Sequence, residues 1–210
     1  MKVFMNYCPY GFSNCYILGS DPEGRDGPRD AVVIDPGTMD APMLNFIEKY
    51  GYVLRGVLVT HDHSNHDHGL RTLKRIYDVD VYAVNPTVKE HKTRIIKDGD
   101  MLSLGAITVT VFTVPGHSSD SAVFLVSHLL FTGDALTAGL LGSTISSYGA
   151  SIQMNALRSK VLSLPGNYII LPGHGPPSSM DAERRFNWGI QRYEENKAKR
   201  PKFRIDLTEL

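Results

Sequence analysis

Short apolar runs separated by turn residues organise this chain. Asn14–Leu18 (NCYIL) and Ala31–Ile34 (AVVI) read as strands joined by SDPEGRDGPRD, whose glycines, prolines and charges suit a solvent-exposed connection. Asp40 is placed to cap a helix that runs to Tyr50, with Leu44, Ile47 and Glu48 at helical spacing and Gly51 as its stop. Gly56–Thr60 (GVLVT) is continuously apolar, the mark of a buried strand. A helix is predicted over Gly69–Tyr77, and strands over Val79–Val84, Ile107–Val114, Ala122–Val126, Leu129–Phe131 and Tyr168–Leu171. Further helices are predicted over Ile152–Leu164 and Asp181–Lys199, the latter capped by Asp181. Strand-rich stretches with interspersed helices occur twice, without a strict repeat. Two sheets packed face to face with helices outside is the α/β architecture this order predicts.

Bulk properties narrow the function class. The chain has 210 residues, 42% of them hydrophobic, enough for one domain spanning 1–210. Its 22 basic and 22 acidic residues cancel, so charge makes no case for nucleic acid. The basic run Lys197–Arg204 reads as a solvated helix end and terminus. Two cysteines are few for a disulfide scaffold, and MKVFMNYCPYGF lacks the apolar core of a signal peptide. No apolar run is long enough to span a membrane. These features predict a cytoplasmic protein acting on a small-molecule substrate, with no membrane or nucleic-acid partner. Oligomeric state has no signature here.

The chemistry enters where the apolar runs stop. His61 follows GVLVT, His117 follows ITVTVFTVPG, Asp134 follows LLFTG and His174 follows YIILPG. In VLVTHDHSNHDHGL, His61, His63, His66 and His68 fall within eight residues, half of the chain's 8 histidines. If the strand ends converge, His61, His63, His66, His117, His174 and Asp134 form a donor set suited to zinc, and also to iron or manganese. No thiolate joins it, which excludes a structural zinc finger. Such sets keep an open position for water, whose pKa a bound cation lowers to about 7. His91 and His128 lack this context and read as ordinary loop residues, and Trp188 reads as a packing residue.

These residues resemble the metallo-β-lactamase superfamily, and within it the glyoxalase II-like (hydroxyacylglutathione hydrolase-like) hydrolases, over about residues 1–180. The markers are Asp35 in VVIDPG, Thr60–His66 (THDHSNH), Pro115–His117 (PGH), Phe131–Asp134 (FTGD) and Pro172–Gly175 (PGHG). Asn14–Tyr16 (NCY) is typical of the glyoxalase II branch. The resemblance implies an αββα sandwich of two mixed sheets flanked by helices, with one or two divalent metals per chain on one edge. It assigns His61, His63 and His117 to a first metal, and residue 65, His66 and His174 to a second. Asp134 would bridge them, and Asp35 would support the site from behind without being a ligand.

Asn65 departs from the pattern, which has aspartate there. Its neutral carbonyl is a poor zinc ligand beside a carboxylate and cannot accept a proton from water. A weaker second metal is expected. Asp67 or His68 as replacement ligands, a shifted register (His63, Asp67, His68) and a single-metal centre all remain open. The implied activity is hydrolysis of a thioester or small ester by metal-bound hydroxide. The alternatives are a single-iron oxidoreductase of the persulfide dioxygenase type, and a metal-binding protein with little catalysis because of Asn65. In longer glyoxalase II enzymes, a C-terminal helical domain grips glutathione with basic residues. Arg184, Arg185, Arg192 and Lys197 are the counterparts available here, on what otherwise reads as a solvated helix face. LLGSTISSYG lacks the family's nearby arginine, so Ser143, Thr144 and Tyr148 are the expected pocket wall.

Overall fold

In the computed structural model, which describes residues 1–20 and 29–198, the first half of the chain builds one mixed sheet. Its elements are β1 (Lys2–Cys8), β2 (Ser13–Gly19), β3 (Arg29–Ile34), α1 (Ala41–Tyr50), β4 (Tyr52–Leu58), α2 (Ser64–Asp67), α3 (Leu70–Ile76) and β5 (Val81–Ala83). A small ribbon, β6 (Thr87–Val88) with β7 (His91–Lys92), precedes β8 (Arg94–Ile95). The strand order is β1-β2-β3-β4-β5-β8, antiparallel up to β3 and parallel beyond it.

The second half repeats the plan. It contains β9 (Met101–Leu104), β10 (Ile107–Thr113), β11 (Ala122–Val126), β12 (Leu129–Gly133), a ribbon of β13 (Leu136–Thr137) and β14 (Leu140–Leu141), and α4 (Ser147–Ala156). A π-helical turn (Leu157–Val161) extends α4, and β15 (Ile169–Pro172), β16 (Ser178–Ser179), α5 (Met180–Phe186) and α6 (Trp188–Ala198) follow. The sheet order is β16-β15-β12-β11-β10-β9, with only β12 and β15 parallel.

Alternation along the central strands sorts side chains into three apolar layers. Tyr16, Leu18, Val32, Ile34 and Leu58 face Val111, Phe124 and Phe131 between the sheets. Ile17, Val33 and Val57 point the other way, onto Met43, Ile47, Leu70 and Leu73 of α1 and α3. Val123, Leu130 and Ile170 pack outward on Leu157, Val161 and Met180. This is the αββα sandwich. β2 and β12 are buried along their whole length, which is why they read as unbroken apolar runs.

Two ties hold the sheets in register at opposite ends. At the far end, Asp30 of β3 accepts from Arg55 Nε at 2.5 Å and from the backbone N–H of Ala106, in the β9–β10 turn, at 2.7 Å. At the near end, the NCY stretch binds the end of β15. Asn14 Nδ2 donates to the carbonyls of Pro172 (2.9 Å) and Gly175 (2.7 Å), and Tyr16 Oη donates to Pro172 O (2.6 Å).

Most predicted elements lie where the pattern put them. Asp40 caps α1 by accepting from Met43 N, and Gly51 closes it in the left-handed region at φ 60°. Two helices differ. α4 begins five residues before Ile152, because Ser146 Oγ accepts from Gly149 N at 3.0 Å and caps a start that has no apolar periodicity. The helix predicted over Asp181–Lys199 is two helices. Ser179 caps α5, placing Asp181 inside its first turn; the backbone breaks at Asn187, whose Oδ1 accepts from Ile190 N and starts α6. The edge strands β1 and β9 were not predicted. The connection expected before β3 and the basic run near the C-terminus lie mostly outside the described residues. Among those described, no helix is long and apolar enough to cross a membrane.

Asp30→Ala is expected to lower unfolding stability by about 1–3 kcal/mol, because it orphans the Ala106 N–H and releases a half-exposed arginine. The urea midpoint measures it; an unchanged midpoint would show that the tie carries no stability.

Candidate metal centre

Four strand ends converge on one edge of the sandwich. β4 runs through Val59 and Thr60 to His61, and the short α2 carries His66 back beneath it. His117 lies in the turn after β10, Asp134 after β12 and His174 after β15. Glycines permit the approach. A Cβ at Gly173 would stand 2.5 Å from both Asp134 Oδ1 and His66 Cε1, and one at Gly133 (φ +48°) would strike the Thr60 side chain.

Asp35 orients the buried histidines. Its Oδ1 accepts from Thr60 N (2.7 Å), and its Oδ2 accepts from Thr60 Oγ1 (2.7 Å) and from His66 Nδ1 (3.1 Å). With the Thr60 hydroxyl proton committed to Asp35, that oxygen accepts from His61 Nδ1 at 3.0 Å. His117 Nδ1 donates to Ser143 O at 2.9 Å. In all three rings the proton is drawn to Nδ1, which leaves the Nε2 lone pair facing inward.

The inward atoms suit a cation. His61, His63 and His117 place ligand atoms within 4.8 Å of one another, and so do His61, His66 and Asp134. Asp134 Oδ2 lies 3.5 Å from His66 Nε2, 3.7 Å from His117 Nε2 and 4.0 Å from His61 Nε2. Tetrahedral ligands at zinc distances stand about 3.4 Å apart, so small adjustments would close such a set. His61 Nε2 and His66 Nε2 are buried and make no hydrogen bond, a costly state that a bound cation would relieve.

Electrostatics agree. Burial lowers the His61 pKa to about 3 and also lowers that of His63, so both are neutral, ligand-ready imidazoles near pH 7. Burial opposes charge on His66 too, but the carboxylates of Asp35 and Asp134 overcome it and raise that pKa to about 10. The hydrogen bond to Asp134 raises the His174 pKa. Burial works against the Asp134 carboxylate, yet the bond from His174 and the adjacent charge of His66 hold its pKa well below the ordinary range. The pocket calls for positive charge, supplied by protons when no cation is bound.

The second set is not assembled in the same way. His174 Nδ1 donates to Asp134 Oδ1 at 2.7 Å, and its Nε2 donates to the Gly11 carbonyl at 3.0 Å. The Asn65 amide lies 3.0 Å from that same Nε2. Both His174 nitrogens are therefore engaged, and His174 joins neither of the two ligand groups. Nor do the replacement ligands reach the cluster. Asp67 pairs with Lys89 Nζ at 3.0 Å, its pKa pushed up to about 6 by burial, and His68 stacks on Tyr10 with ring centroids 4.2 Å apart. The shifted register through His63, Asp67 and His68 is accordingly not formed. His91 and His128 lie outside the cluster, near Glu90 and Ser127.

Other contributors escaped the sequence reading. Asp120 is buried and braces two ligand loops, accepting from Asp62 N (2.9 Å), Asn85 Nδ2 (3.0 Å) and Ser118 Oγ (2.5 Å). The HSSD run after the PGH turn was its only signal. The carbonyls of Gly11 and Ser143 have no sequence signature at all. Above the cluster, a cleft of about 290 Å³ is walled by Thr137, Leu140, Leu141, Gly142 and Ser143. A second, about 300 Å³, lies on the far side of His117 and includes Ile145, Tyr148 and Ile152. Ser143 and Tyr148 line the clefts as expected; Thr144 is not among the lining residues and donates to Ser146 O.

Asp35→Asn is expected to weaken metal binding about 10–100-fold without removing a ligand, measurable by competition with a chelator. Asn65→Asp is expected to raise metal content toward two per chain by elemental analysis, since a carboxylate would stand beside His174. Unchanged content would show that the asparagine is no handicap.

Comparisons with known proteins identify the family. The family profile described as the metallo-beta-lactamase superfamily matches residues 8–174. Hydroxyacylglutathione hydrolase of Yersinia pestis (strain Pestoides F) is 32% identical over 147 residues, 70% of this chain and 57% of that protein. The match therefore spans less than two thirds of that relative's length. Among solved structures, ETHE1 from Myxococcus xanthus superposes with a TM-score of 0.76 at 24% identity, covering 96% of this chain and 93% of that one. TTHA1623 in a di-iron-bound form superposes with a TM-score of 0.73 at 25% identity, covering 88% and 98%. With these markers in order on this fold, the chain belongs to the metallo-β-lactamase superfamily.

Proposed function

We propose that this protein is a metal-dependent hydrolase of thioesters or small esters, acting in a reducing cytoplasm with zinc as its cation. One observation carries the reading: the unpartnered His61 and His66 Nε2 atoms converge with His63, His117 and Asp134, and His117 and Asp134 line an open cleft. Imidazole and carboxylate donors suit zinc, with iron and manganese as neighbours in preference. When bound, a divalent cation would lower the pKa of water and polarise a substrate carbonyl.

The chain's own residues do the rest. His61, His63 and His117 hold the cation, with Asp134 supplying charge at its side. Asp35 and the Ser143 carbonyl fix ring orientation, so the donors need no rearrangement during turnover. The cleft walls position the acyl group and exclude water from its flanks. Beyond the cluster, Thr137, Leu140, Leu141, Gly142 and Ser143 carry no ionisable side chain. A thiolate leaves without strong acid assistance, which favours thioesters over amides. Similarity to a hydroxyacylglutathione hydrolase supports the same reaction class. Cys8 and Cys15, both buried and free, suit a reducing compartment.

The test combines elemental analysis with turnover of an acyl thioester. His61→Ala is expected to lose most of its metal and more activity than the about 100-fold that loss of a ligand's outer partner costs. Unchanged metal content in His61→Ala would refute the assignment. Iron in the purified protein, with oxygen uptake on glutathione persulfide and no thioester turnover, would replace hydrolysis with dioxygenase chemistry. Bound metal with neither activity would leave a metal-binding protein.

A further inference from the structure

We propose that the substrate is an uncharged thioester or ester with two apolar arms, rather than a glutathione conjugate. The inference rests on the hydrolase reading above and names the substrate class of that site.

The argument starts from the two clefts. They share His117, so a carbonyl at the ligand cluster would send one arm along Thr137–Ser143 and the other along Gly116–Ile152. Apart from His117, Asp134 and His174, every described residue lining either cleft is uncharged. Large apolar side chains stand open to solvent along both. Ile145 is 101% exposed and Tyr148 75% in the second cleft, and Leu140 is 48% exposed in the first. Apolar surface gathered beside a reaction centre marks a place for an apolar ligand.

Several polar groups of the walls are already committed. Ser146 Oγ takes the Gly149 N–H that an anion at the start of α4 would need, and Ser118 Oγ is bonded to Asp120 and Ser121. The Ser143 carbonyl is held by His117.

A glutathione thioester carries two carboxylates, and their recognition calls for cations. Four of those on the elements behind the clefts are occupied, and Arg185 and Lys197 line neither cleft. Arg184 donates to the carbonyls of Leu162, Leu164 and Gly166, closing the end of the π-helical turn. Arg192 lies over the Trp188 ring at 4.8 Å. Arg158 pairs with Glu194, and Lys160 with Asp98 and the Thr113 carbonyl. Of the cations that could grip a substrate carboxylate, Arg184 and Arg192 are thus spent on the protein itself.

The experiment compares the butanoyl thioester of N-acetylcysteamine with that of glutathione on metal-loaded protein. The acyl group is identical and only the leaving group differs in charge. The neutral substrate is expected to have at least about tenfold higher kcat/KM, mainly through KM. In parallel, calorimetry compares the non-hydrolysable thioethers S-butyl-N-acetylcysteamine and S-butylglutathione, reading binding without turnover. Leu140→Arg and Ile145→Arg place a cation on each wall at exposed positions. They are expected to move both preferences toward glutathione by about tenfold at unchanged metal content and melting temperature. Equal or better use and binding of the glutathione compounds by the wild type would overturn the proposal, as would preferences that neither arginine moves. Selective binding of the neutral thioether without thioester turnover would uphold this cleft specificity while removing the hydrolase reading.

Discussion

The centre depends on one buried carboxylate. Asp35 is 1% exposed and follows β3 in the left-handed region at φ 49°, a conformation that costs a non-glycine residue about 1–3 kcal/mol. Its burial is tolerable because donors surround it: Thr60 N, Thr60 Oγ1 and His66 Nδ1. The same bonds determine chemistry. By claiming the Thr60 hydroxyl proton, Asp35 makes that oxygen an acceptor for His61 Nδ1. By accepting from His66 directly, it turns that ring's Nε2 inward. Two inward-facing Nε2 atoms are therefore set by one side chain. The parallel pairing of Ile34 with Leu58 makes this possible, because it brings Asp35 and Thr60 to adjacent strand ends.

The other half of the site has a different logic. An aspartate at residue 65 would supply charge to a cation beside His174. Asn65 cannot, and His174 is instead tethered between the Gly11 carbonyl and Asp134. The asymmetry follows from charge. Asp134 attracts His66, His117 and His174, but the position next to residue 65 offers no second anion. The turn between β1 and β2 lies against residue 65, with Gly11 packed so closely that a Cβ there would stand 2.4 Å from Asn65 Cβ.

Much of this was legible in the sequence because the central strands are buried on both faces and the ligands follow them directly. GVLVT then His61, LLFTG then Asp134 and YIILPG then His174 each announce a strand and its functional end together. What was not legible depends on partners remote in sequence. β1 alternates between half-buried and exposed positions at a sheet edge, so its apolar signal is weak. The early start of α4 and the break at Asn187 are made by side-chain caps rather than by periodicity. The His68 and Asp67 alternatives were resolved only by Tyr10 and Lys89, distant residues that claim them. The hold of Gly11 on His174 is a backbone contact and leaves no trace in residue identity.

The C-terminal helices show the same dependence on remote partners. Read from the sequence as a solvated helix face, they hold the cleft wall from behind. Glu183 of α5 is 2% exposed and accepts from Gly139 N at 3.0 Å, from Ser178 Oγ and from Asn187 Nδ2 at 2.6 Å. Asn187 Nδ2 also lies 3.2 Å from Leu140 O, and Trp188 N donates to Gly139 O at 2.9 Å. These bonds clamp the β13–β14 ribbon from behind, and the ribbon presents Leu140 and Leu141 to the cleft beside Asp134. A buried carboxylate whose donors are supplied by the ribbon and its own helix cannot be traded for a substrate contact without orphaning them. The described parts of these helices meet the cleft through the ribbon, and their packing keeps that apolar wall in place.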